Sequence, residues 1–283
     1  MRHSRRKQRM IRKRLRCDYT RDHAGVEERD GTTTKRTRKP IVTDNKAAMK
    51  EPELPQLQAP SLRLLALESR ALAEAARFSL MGPSLKGLQR GKGQPVMIIP
   101  GFGTHDVATL PMRRALEKLG FDAYGWGHGT NLGMRSKVKT GLVRRLEQLY
   151  ERYDAPTSLV GWSLGGVFAR EMARHQPQLV KRVITLGSPI NGHPDANNMV
   201  TLFRIANRGK PVKTDVEGFI RRQTPPPVPC TAIYTRSDGI VTWSCALETP
   251  AGHTESVEVQ GSHMGLVFNR QVLGIIAQRL AED

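Results

Sequence analysis

The stretch Gly161-Trp162-Ser163-Leu164-Gly165-Gly166 constrains this chain more than any other. It reads G-x-S-x-G, directly after the apolar run Thr157-Ser158-Leu159-Val160 and directly before a helix-like segment at 167–175. A strand that feeds a sharp turn that feeds a helix is the context in which this motif carries a nucleophile. The turn strains the backbone at the serine, so the residues two before and two after must be small. Gly161 and Gly165 meet that need, and Gly166 adds relief. Ser163 is therefore expected at the carboxyl edge of a sheet, with Oγ presented to a substrate.

A serine nucleophile needs a base, and the base needs an orienting carboxylate. Downstream, the β-rich run Thr231-Ala232-Ile233-Tyr234-Thr235 ends in Arg236-Ser237-Asp238-Gly239. An Asp-Gly pair is by itself only a turn, but this one follows a strand, which selects Asp238 over Asp195 and Asp215 in a long polar excursion. Next, Glu255-Ser256-Val257-Glu258-Val259 alternates as a half-buried strand does and runs into Gln260-Gly261-Ser262-His263-Met264-Gly265. A closing helix is expected at 269–280. His263 thus lies on the loop after the last strand. Its rivals are placed less well: His175 ends a helix, and His193 and His253 lie in Gly/Pro-rich loops that follow no predicted strand. Ser163, Asp238 and His263 all fall at one edge of one parallel sheet.

Ester cleavage also needs backbone N–H groups aimed at a developing oxyanion. The run Gln94-Pro95-Val96-Met97-Ile98-Ile99 suits a strand buried on both faces, and it ends in Pro100-Gly101-Phe102-Gly103. One donor is expected from Leu164, the residue after the nucleophile, and the other from Phe102, whose flanking glycines let the backbone approach a substrate.

These segments together resemble the α/β-hydrolase family, specifically its serine esterases and lipases. Pro100-Gly101-Phe102-Gly103, Gly161 to Gly166, Ser237-Asp238-Gly239-Ile240-Val241 and Gly261-Ser262-His263 carry the resemblance, across roughly residues 94–283. It implies hydrolysis of carboxylic esters through an acyl-enzyme. The chain departs from many members at Trp162, where histidine is common, and at Pro100-Gly101, where His-Gly is common. Neither departure removes a reacting group. Acyl transfer, and cleavage of an amide or thioester with the same triad, remain alternatives. So does a non-catalytic binding module on the same fold, because many functions share this scaffold.

The alternation of strand and helix predicts a doubly wound, mostly parallel sheet. Six strands are expected near 95–99, 121–126, 157–161, 182–186, 229–234 and 255–259, with helices at 110–119 and 137–153. The short span at 82–93 leaves little room for an additional hairpin, so the core is minimal. Residues 51–93 read as a linker and an N-terminal helix at 61–81, capped by Ser61. In that helix Leu62, Leu65, Leu72 and Phe78 form the expected apolar stripe, with Arg63, Glu68, Arg70 and Glu74 on other faces; it packs on the domain or lies on lipid. The hydrolase domain spans 94–283, with an insertion at 188–228 where family members carry a cap or lid. Its apolar residues, Met199 to Ile205, serve either an acyl pocket or the cap's own core.

Net charge is +19, and residues 1–50 hold 17 Lys and Arg against 6 Asp and Glu, so 11 of the excess charges lie there. This polar, basic head is expected to be disordered. It reads as a solvated tail, as sequence preceding an alternative start at Met49, or as a contact for anionic membrane; nucleic acid is the weaker partner. Its basic start is not followed by an apolar core, and no apolar run reaches membrane-spanning length, so a cytoplasmic protein is expected. The 3 cysteines, Cys17, Cys230 and Cys245, show no metal-type spacing, and no cofactor motif is evident. The expected partner is a small-molecule or lipid ester, handled without metal or cofactor.

Overall fold

The structure, a computed structural model, describes residues 59–191 and 223–282. The basic head at 1–50 lies outside the described residues. So do Met199 to Ile205, Asp195, Asp215 and His193, and with them most of the expected cap.

Six strands form one sheet: β1 Pro95–Ile99, β2 Asp122–Gly125, β3 Thr157–Trp162, β4 Val180–Leu186, β5 Cys230–Tyr234 and β6 Thr254–Glu258. Their order is β2-β1-β3-β4-β5-β6 and every pairing is parallel. The chain leaves β1 toward β2 on one side and returns to β3 on the other. This makes a topological switch point between β1 and β3, where the carboxyl ends of open α/β sheets hold their ligands.

The period-2 pattern of β1 builds both layers. Val96 and Ile98 face α3 (Asp106–Lys118) and α6 (Arg270–Ala281), packing with Met112, Leu116, Val272 and Ile276. Met97 and Ile99 face α4 (Ser136–Tyr153) and α5 (Leu164–His175), packing with Leu142, Leu146, Phe168 and Met172. All five residues of β1 are buried, as a strand covered on both faces must be. The edge strand β6 is half-exposed; Glu255 pairs with Arg279 and Glu258 with Arg236, charges that blunt an open edge.

Two expectations are corrected. The first helix after β1 begins at Asp106 rather than at 110, and Pro111 lies inside it. The Asp106 carboxylate accepts from Trp126 N and Gly127 N, so tertiary hydrogen bonds fix the first turn to the end of β2.

The second correction concerns the N-terminal segment, α1 (Leu62–Leu67), a 3-10 turn (Glu68–Arg70), α2 (Ala71–Ala76) and a π turn (Arg77–Met81). Ser61 caps it as expected, accepting from Leu64 N at 3.3 Å. The expected apolar stripe, however, faces inward only in part: Phe78 is buried in the core and Leu65 is half-buried. Leu62 and Leu72 are 82% and 78% exposed, whereas Glu68 is buried with Ala71 and Phe78. Around Glu68 the inner face is polar because there it meets the backbone of two loops, while Phe78, further along, joins the apolar core.

Cys230 and Cys245 are unpaired, buried thiols in different clusters, and burial pushes their pKa values up to about 12 and about 11. No helix of the described residues is long and apolar enough to cross a membrane.

A buried ion pair, Arg170 with Glu248, ties α5 to the connection between β5 and β6. Arg170 also donates to Thr224 O, at the end of the insertion. Removing one partner of such a pair strands a buried charge. Arg170→Ala is expected to cost about 3–5 kcal/mol, and Arg170→Met with Glu248→Leu far less. Urea unfolding midpoints check this; a single variant as stable as wild type would contradict it.

Candidate active site

Ser163 sits between β3 and α5 with φ 53° and ψ −122°. Among the described residues only Asp154 shares a positive φ without being glycine. Such a conformation costs on the order of 1–3 kcal/mol and persists where its surroundings enforce it. Here Ser163 N donates to Leu186 O at 2.8 Å. The turn is wedged against β1 as well: a Cβ on Gly165 would lie 2.2 Å from Ile99 O. As first residue of α5, Leu164 presents an amide with no acceptor inside the helix.

The loop after β1 lies alongside. A Cβ on Gly101 would meet Ser163 Cβ at 3.4 Å, so this backbone runs against the serine. Asn131, fully buried, braces the loop at three points. Its Nδ2 donates to Pro100 O at 2.8 Å, its carbonyl accepts from Gly103 N at 2.8 Å, and its amide donates to Thr104 O at 2.9 Å. Phe102 lies within the segment held this way.

Asp238 and His263 meet where expected, past the ends of β5 and β6. His263 Nδ1 lies 2.6 Å from Asp238 Oδ2, and both side chains are buried. The other carboxylate oxygen, Oδ1, accepts from Ile240 N at 2.8 Å and Val241 N at 2.7 Å. The carboxylate is thereby oriented, with one oxygen committed to its own loop and the other to the imidazole. Gly187, directly after Leu186, runs beneath the pair: a Cβ there would be 2.9 Å from His263 Nδ1 and 3.1 Å from Asp238 Oδ2. Leu186 holds Ser163, so one strand end supports all three candidate residues.

Burial pulls the His263 pKa down, but the charge of Asp238, its hydrogen bond and the charge of Glu68 outweigh burial. The pKa stands above the ordinary 6.5. The rival histidines are elsewhere: His175 faces Glu171 at 3.7 Å, and His253 Nε2 lies 3.0 Å from Pro226 O.

Several residues at this site had no sequence signal strong enough to select them. Trp162 Nε1 donates to His263 O at 3.1 Å, so the residue that departs from the family pattern anchors the histidine loop. Asn131 sat in a stretch that read only as loop. Glu68 accepts from Gly239 N, His263 N and Met264 N, and nothing in its helical pattern pointed inward.

No protein-family profile matches the chain. Over 113 residues, 38% of this chain, it is 30% identical to a pimeloyl-[acyl-carrier protein] methyl ester esterase of Vibrio vulnificus. The match spans 42% of that relative's length. Among solved structures, the chain superposes on a Bacillus licheniformis lipase, BlEst2, with TM-score 0.53 and 16% identity, covering 69% of this chain and 95% of that one. Aspergillus fumigatus lipase B gives TM-score 0.53 and 17% identity over 71% and 55% of the two chains. A soluble variant of monoglyceride lipase from Saccharomyces cerevisiae gives 0.50 and 16% over 70% and 89%. At these identities the likeness is one of fold.

The raised His263 pKa makes stability depend on pH with a fixed sign. Below the ordinary 6.5 both folded and unfolded chains carry the proton, and the stabilisation of the imidazolium by Asp238 is fully present. It is lost as pH rises through the higher folded-state pKa. Wild type should therefore lose stability relative to His263→Gln as pH rises above 6.5. Urea midpoints measured upward from that pH would contradict this if the gap stayed constant or widened.

Proposed function

We propose that this chain, an α/β-hydrolase by fold, is a serine carboxylester hydrolase working through an acyl-enzyme. The observation that carries the reading is the buried His263–Asp238 pair at 2.6 Å, set over the same strand end that holds Ser163 in its strained turn. The likeness to lipases and to an esterase supports the same reaction class.

In this mechanism Ser163 Oγ attacks the ester carbonyl. His263 Nε2 takes the hydroxyl proton while Nδ1–H donates to Asp238 Oδ2. That hydrogen bond selects the tautomer with Nε2 unprotonated, and the carboxylate stabilises the imidazolium that forms. The oxyanion is received by the amides of Leu164 and Phe102. Leu164 adds the positive end of the α5 dipole, and the Asn131 brace keeps the Phe102 loop from relaxing away. His263 then returns its proton to the leaving alcohol. It next takes a proton from water as the water oxygen attacks the acyl carbon, and gives that proton to Ser163 Oγ as the acyl–oxygen bond breaks, freeing the acid and the serine. The strain at Ser163 serves this chemistry, because it holds Oγ in position before substrate arrives.

Hydrolysis of p-nitrophenyl esters from acetate to palmitate tests the reading. Ser163→Ala is expected to lower turnover by about four to six powers of ten while the chain stays folded. Because the base must be neutral, kcat/KM should fall toward acid with a midpoint above 6.5, the ordinary histidine value. Turnover that survives Ser163→Ala, or its absence from folded wild type on every chain length, would refute the assignment.

A further inference from the structure

We propose that Glu68 is a positioning residue, whose carboxylate sets the loop carrying Asp238 and the loop carrying His263 at their working separation. The inference rests on the triad reading above.

Glu68 lies at the start of the 3-10 turn Glu68–Arg70, far in sequence from both loops. Its Oε1 accepts from Gly239 N at 2.9 Å and from His263 N at 3.0 Å. Its Oε2 accepts from Met264 N at 2.9 Å. One buried carboxylate therefore binds the residue after Asp238, the histidine itself and the residue after it. Hydrogen bonds to an ionised acceptor are shorter and roughly twice as strong as neutral ones. A lone buried carboxylate would be expensive, and these three donors offset that cost.

The rest of the segment follows the same plan. Arg70 Nη2 donates to Ser237 Oγ at 2.8 Å and to Gly261 O at 2.7 Å, one residue on each loop. Glu74 accepts from Ser262 N and Ser262 Oγ. The loops are shaped to receive it. A Cβ on Gly239 would lie 2.4 Å from Leu64 O, and one on Gly265 would collide with Glu74 Oε2. The glycine after Asp238 is thus required by contact with the segment, beyond any need of the turn. A helix that served only to cover apolar surface would not present a carboxylate to three amides while leaving Leu62 and Leu72 outside.

Glu68 also acts on the imidazole through charge. Among the described residues, the charged groups acting on His263 are Asp238, from the loop after β5, and Glu68, from the N-terminal segment. Arg70 and Glu74 reach its neighbours Gly261 and Ser262. The elements on the other side contribute the neutral Trp162 and Gly187. Removing the charge of Glu68 must lower the affinity of His263 for its proton, while removing its acceptors loosens the Asp238–His263 geometry.

The test uses the full chain with nitrogen-15 histidine. His263 is titrated by NMR in wild type, Glu68→Gln and Glu68→Asp, alongside kcat and KM for a p-nitrophenyl ester. Glutamine keeps the size, but it offers one acceptor oxygen and turns an NH2 toward a backbone N–H. It should lower the His263 midpoint and reduce kcat about tenfold to a hundredfold, the effect of a small displacement of catalytic groups, with KM within about twofold. Aspartate keeps the charge one methylene short; it should recover most of the midpoint and only part of kcat, and it decides the matter should the glutamine variant fail to fold. A merely structural role would move the melting temperature and leave the midpoint in place. An unchanged midpoint in Glu68→Gln overturns the clamp, whether or not wild type turns over ester, and where that variant does not fold, full wild-type kcat in Glu68→Asp overturns it. A midpoint that falls in a chain without ester turnover overturns the triad reading and leaves the clamp standing.

Discussion

The backbone turn at Ser163 is the constraint on which the rest of this molecule depends. It forces a serine to φ 53°, and it survives because β1, β3, β4 and α5 converge on it. Gly165 lets the turn press against Ile99, and Leu186 accepts the hydrogen bond from Ser163 N. The topological switch beside β1 brings these strand ends together. The loop after β1 and the turn after β3 then lie against each other, with Leu186 bonded to Ser163 and Gly187 against the His263–Asp238 pair. The strain is local, and the energy that holds it comes from two apolar layers that bury β1 and β3 completely.

The second half of the site is organised by polar contacts instead. The Asp238 and His263 loops end the last two strands, near one edge of the sheet, where fewer elements converge. They are joined by the carboxylate–imidazole bond, by Thr235 and Ser237 to Gly261 O, and by Glu68, Arg70 and Glu74 from the segment that precedes β1. Trp162 adds a tie from β3. The result raises the pKa of an imidazole that burial alone would lower. Geometry and proton affinity are thus set by the same few groups.

Much of this architecture was legible in the sequence because it depends on local pattern. Glycines around Ser163 marked the turn, the apolar run at 94–99 marked a strand buried on both faces, and the strand-then-loop placement singled out Asp238 and His263. What was not legible depends on contacts between distant segments. Periodicity placed the leucines of residues 61–81 inside, since apolar residues usually face a core. That holds for Phe78, but around Glu68 the inner surface is the backbone of two loops, and backbone amides call for a carboxylate. Asp106 extended its helix by a turn for a related reason, taking its partners from Trp126 and Gly127. Asn131 resembled an ordinary loop residue until its three partners came into place around Pro100 to Thr104.

The central claim is that Ser163 becomes covalently acylated, and trapping that adduct is the most direct measurement. The folded chain would be treated with an alkyl fluorophosphonate, which phosphonylates a serine activated by a neutral histidine, and then analysed by intact mass and peptide mapping. The account predicts one added phosphonyl group per chain, on the peptide carrying Ser163, and none on Ser163→Ala. An unmodified wild-type chain, or an adduct on another residue, would contradict it.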